Sequence, residues 1–74
     1  MLDKVKDYFE MEYYDACIAC EYQWTTPKEV VNGAMQRCLG VALFVQNASD
    51  ISFDEVDSLY EEYRRKLEEL GNAR

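Results

Sequence analysis

The sequence predicts an all-α protein, a small up-down-up bundle of three helices. Three observations carry that expectation. Apolar residues recur at spacings of three and four in three separate stretches, the period of one helix face. Two of those stretches open with residues arranged as a capping box. The chain also holds only three glycines and one proline, too few for the turns of a β-sandwich. Its 74 residues predict a single domain over 1–74. A chain this short buries only about 60% of the surface its unfolded form exposes, so every buried face counts.

The first helix is predicted over about 2–23. Leu2, Val5, Phe9, Tyr13, Ala16, Cys20 and Trp24 follow one face. Thr25, Thr26 and Pro27 interrupt it, because the residue before a proline is pushed out of the α region. The second helix, over about 27–47, has Thr26 as N-cap, Pro27 at the first position and Glu29 at the capping-box spacing. Its predicted inner face is Val31, Ala34, Met35, Cys38, Val41, Ala42 and Val45. Asn47, Ala48, Ser49 and Asp50 form a short polar connection.

The third helix is predicted over about 53–70. Ser52 and Glu55 make a second capping box, and Ile51 and Val56 sit where a hydrophobic staple would clamp the entry. Phe53, Val56, Tyr60, Tyr63, Leu67 and Leu70 form one stripe, with Glu61–Arg65 and Glu62–Lys66 as i,i+4 pairs outside it. Gly71 stands where a glycine ends a helix. From these stripes, Phe9, Trp24, Cys38, Val45, Phe53, Tyr60 and Leu67 are the expected core.

Charge narrows the function. The chain carries 15 acidic and 8 basic residues, a net charge of −7, and no histidine. The acids concentrate in the first and last helices, whereas residues 25–51 balance Lys28 and Arg37 against Glu29 and Asp50. Binding to nucleic acid rests on Lys and Arg neutralising phosphates, so direct nucleic-acid binding is not expected. Anionic membranes are disfavoured for the same reason, and the longest apolar run, Cys38 to Val45, is far too short to span a bilayer. A basic protein is the partner this charge attracts. Residues 1–5 lack the apolar core of a signal peptide, and the odd number of cysteines, three, reads as reduced thiols in a cytoplasm.

Candidate chemistry is sparse. Cys17 and Cys20 have C-x-x-C spacing, but they sit late in a helix beside Asp15 and Glu21, which raise thiol pKa values. With Cys38 they make three thiols, one short of a structural zinc site, so no metal or other cofactor is expected. The carboxylates form no calcium-loop pattern, and no Gly-rich phosphate loop or nucleophile elbow is present. The expected function is non-enzymatic.

Two apolar surpluses remain. Met11, Tyr14, Ile18 and Tyr22 cluster opposite the first helix's core stripe, flanked by Asp7, Asp15 and Glu21. They are either ordinary exposed residues and a broader packing face, or a partner-binding face rich in the types that anchor interfaces. On the second helix Leu39, Leu43 and Phe44 lie outside the inner face, with Gly33 and Gly40 on nearly one side. Two explanations stand: centrality in the bundle, where this helix touches both neighbours, or packing against a second copy as a homodimer, with the two glycines allowing close approach. Three functions follow. The first is an acidic adaptor or inhibitor docking on a basic protein, such as a nucleic-acid-handling one, in the manner of small acidic proteins of phages and mobile elements. The second is an oligomeric assembly subunit. The third is a thiol or metal protein resting on Cys17, Cys20 and Cys38.

Overall fold

The computed structural model describes residues 2–22 and 26–72, and three helices account for nearly all of them: α1 (Leu2–Tyr22), α2 (Pro27–Ala48) and α3 (Phe53–Asn72). The start of α2 is set by Thr26, whose extended backbone (φ −70°, ψ 143°) turns its hydroxyl to accept from the Glu29 N–H at 3.3 Å. Its end is closed by Ser49, which donates both its N–H (3.1 Å) and its hydroxyl (2.7 Å) to the Val45 carbonyl. In α3 the Val56 N–H donates to the Ser52 carbonyl at 3.3 Å, and Ile51 packs on the core cluster that contains Val56, as a staple requires.

Contacts between helices fix the topology. Glu12 of α1 meets Arg37 of α2, and Ala16 shares a cluster with Ala34, so rising numbers on α1 meet falling numbers on α2. Gln46 donates to the Phe53 carbonyl at 3.3 Å, whereas Val31 faces Gly71, so α2 and α3 are antiparallel too. Between α1 and α3 the order runs together: Phe9 meets Tyr60 and Tyr63, Glu10 meets Tyr63, and Tyr13 meets Lys66. The bundle is therefore up-down-up, as short connections require.

Its main core comprises Val5, Phe9, Cys38, Ala42, Val45, Val56 and Tyr63, and a second cluster holds Ala16, Val31, Ala34 and Leu67. Phe9 is the hub. It is fully buried, with edge-on ring contacts to Tyr8, Tyr60 and Tyr63 at 6.5, 6.4 and 5.8 Å between centroids.

Four expectations from the sequence are corrected. Phe53 is exposed, and Tyr60 only half-buried. At about 100° per residue, the first residue of the stripe stands roughly 60° from the mean direction of the buried Val56, Tyr63 and Leu67, and the drift of about 20° per heptad accounts for part of that. Gly71 does not end α3, which continues to Asn72. A Cβ there would come 3.3 Å from Val31 Cγ2, so the glycine lets the end of α3 approach the start of α2. Arg65 does not pair with the Glu61 carboxylate; that carboxylate takes Arg64 at 2.7 Å, while Arg65 reaches the Glu61 carbonyl at 3.4 Å. Glu62–Lys66 stands as expected, at 3.9 Å. Trp24, expected in the core, lies outside the described residues.

Candidate functional site

The outer face of α1 follows from its inner one. Val5, Phe9, Glu12, Ala16 and Cys20 are the buried residues of this helix. At about 100° per residue, Met11, Tyr14, Ile18 and Tyr22 fall on the opposite side. The structure leaves all four in solvent, at 51%, 61%, 46% and 65% exposure. Asp7, Asp15 and Glu21 are exposed around them. The seven residues singled out on this helix thus form one acidic, aromatic face. Monomeric domains normally show such residues singly and not as a row along one helix.

The face borders a groove. Asp15, Ala16, Ile18 and Ala19 of α1, with Glu29, Val30, Gly33 and Arg37 of α2, bound a depression of about 460 Å³ between the two helices. Its lining is apolar at Ala16, Ile18, Ala19 and Val30 and carries both signs of charge, from Asp15, Glu29 and Arg37.

Glu12, on the buried side of α1, is absent from the sequence-based candidates. The residue is 5% exposed, and one carboxylate oxygen, Oε2, accepts from the Tyr8 hydroxyl at 2.9 Å and from Arg37 Nε at 2.7 Å. Arg37 belongs to this pair, not to Glu29 or Asp50, and its guanidinium lies over Gly33, where a Cβ would meet Nη1 at 3.3 Å. Donating to the Glu12 carboxylate holds the Tyr8 phenol above its ordinary pKa, and the same carboxylate raises that of Arg37. One signal in the sequence pointed to it: Glu12 is three residues after Phe9 and four before Ala16, on the apolar stripe itself. A parallel contact ties α3 to α1, where buried Tyr63 donates to Glu10 Oε1 at 2.8 Å. Burial, and then that carboxylate, raises the Tyr63 pKa.

The thiols are separate. Cys20 and Cys38 are buried and Cys17 half-buried, and all three are free. Burial pushes the Cys38 thiol up to about 11, with the Glu12 charge adding to it, so the sulfur keeps its proton at neutral pH. Among the described residues no three His, Cys, Asp or Glu side chains come together as metal ligands.

On α2, Leu39, Leu43 and Phe44 are exposed, and so is Gly40, around whose Cβ position nothing lies within 4 Å. Gly33 and Gly40 therefore differ: one sits under an arginine and the other faces open space. No helix among the described residues is long and apolar enough to cross a membrane. No protein-family model, curated protein or solved structure matches the chain.

Proposed function

We propose that the protein is a non-enzymatic interaction module that docks the outer face of α1 onto a basic surface of a protein partner. The observation that carries this reading is the exposed row Met11, Tyr14, Ile18 and Tyr22, set among Asp7, Asp15 and Glu21 on a helix that already buries a full opposite stripe. Tyrosine and methionine supply contact area at interfaces, and flanking carboxylates steer a cationic partner toward it. Chemistry fits less well: the buried carboxylate Glu12 is engaged by Tyr8 and Arg37, and the buried thiol Cys38 is held protonated.

The test is site-specific photocrosslinking in the cells that make the protein, with a photoreactive residue at Tyr14 and a control at exposed Asn32 of α2. The reading expects a discrete crosslinked protein from Tyr14 only, whose yield, when the crosslink is repeated in lysate, falls as salt shortens the Debye length from about 8 Å at 0.15 M to about 3 Å at 1 M. It also expects the yield to fall when Asp7→Asn, Asp15→Asn and Glu21→Gln are combined. Equal labelling from both positions, or indifference to those three changes, would refute it.

A further inference from the structure

We infer that the chain forms a weak two-fold dimer by packing the outer face of α2 against the same face of a second copy, antiparallel and centred near Gly40. That face comprises Gln36, Leu39, Gly40, Leu43, Phe44 and Asn47, all exposed. Phe44 is the most open of the large apolar residues, at 72%. Asn47 donates its amide N–H to the Leu43 carbonyl at 2.8 Å, so part of its polar head is turned back onto its own helix.

Charge selects the occupant. Of the 15 acids in the chain, α2 carries one, Glu29, and the twelve residues from Cys38 to Ser49 carry no charge of either sign. Two copies of a −7 chain meeting through α1 or α3 would bring carboxylates against carboxylates. Meeting through α2 brings none, and a basic partner has nothing to pair with there. Among the described residues, α2 is the helix whose exposed large apolar side chains, Leu39, Leu43 and Phe44, are not set among carboxylates. Phe53 extends that surface: it is 63% exposed, and its carbonyl is held by Gln46, one turn beyond Leu43.

Gly40 agrees with this independently. A glycine in an open helix interior weakens the helix relative to alanine, and here no neighbour in the chain needs the space. A second helix crossing at that point does need it. Isologous packing puts Gly40 near the two-fold axis and repeats each contact, so Leu39 and Phe44 of one copy flank the other's Gly40. The apolar surface offered is on the order of a few hundred Å² per copy, within the range of a monomer's largest patch and well below the roughly 800 Å² per partner of a standard interface, so the association is weak and reversible. A dimer would also carry two α1 faces, although the inference does not depend on what α1 binds.

Sedimentation equilibrium on the full chain tests it. The wild type should show a concentration-dependent mass rising from 8.7 kDa toward twice that value, with a midpoint on the order of 10 μM. Gly40→Glu enters open space, so helix content is kept while two charges meet at the axis; association should weaken at least tenfold. Leu43→Lys should do the same, and Tyr14→Ser with Tyr22→Ser should leave the mass distribution unchanged. A wild type that stays at one chain up to roughly 100 μM would overturn the inference. So would a Gly40→Glu protein that associates as the wild type does, or association lost only with the α1 tyrosines.

Discussion

Glu12 is a buried carboxylate in a domain with little stability to spare, and its arrangement limits its cost. Both donors converge on a single oxygen, one of them a guanidinium whose side chain is itself 56% exposed. The charge is thus neutralised from the wet side, which is cheaper than burying two ions together. The two halves of the pair are not equivalent to mutation. Arg37→Ala leaves the carboxylate with Tyr8 alone and should cost about 2 kcal/mol, after discounting for the exposure of Arg37. Glu12→Gln keeps an oxygen where both donors point and should cost about 1 kcal/mol, the difference between a charge-assisted and a neutral bond. Urea unfolding of both variants checks the order; Glu12→Gln as the more damaging change would contradict the geometry.

At the scale of helices, the stripes divide the residues into those that hold the bundle and those that face out. Phe9, wholly buried among three tyrosine rings, should cost about 3–5 kcal/mol when cut to alanine. Phe53→Ala, with the ring mostly in water, should cost about 0.5 kcal/mol, as surface substitutions do. Thermal melts of the two variants separate them clearly. The helices and their order were legible in the sequence because cap and period agree: Thr26 and Glu29 write the start of α2, and its observed end lies one residue past the expected one. Phe53 was not, because an alternating stripe read on paper stays straight while on a helix it rotates away from the core. Gly71 misled for a different reason, since a glycine needed for close approach looks in sequence like one that ends a helix. Both faces of α1 were readable from spacing, apart from Glu12, whose charge disguised an inner position.

Taken whole, the molecule is a rod of 39 × 16 × 16 Å, too thin to hide more than one side of each helix. Its outer surface is therefore set by what the three helices do not share. Titration follows the same division. Tyr8, Tyr13, Tyr60 and Tyr63 are all raised above 10.0, and Cys38 rises from 9.0 to about 11. The leading cause at Tyr8 and Tyr13 is a side-chain hydrogen bond, to Glu12 and to Cys17; at the other three it is burial. Each group holds its proton more tightly folded than unfolded. Their contribution to stability is whole below about pH 9 and is lost as pH rises through 10 and above. Chemical denaturation should give a flat plateau from pH 7 to about 9 and a steep fall beyond about 10. A plateau persisting past pH 11 would mean that these rings are more open than the structure has them.

The outer face of α1 makes the sharpest demand, because its residues should matter for binding and not for folding. The decisive measurement is partner capture by the Tyr14→Ser, Tyr22→Ser double variant, with its melting curve taken on the same preparation. With both rings standing in solvent, the melting temperature should move by no more than about 4 °C, the shift that less than 1 kcal/mol produces in a domain this size. Capture should be abolished. A double variant that unfolds would put the rings in the core, and one that melts normally and still binds its partner would leave α1 without a functional face.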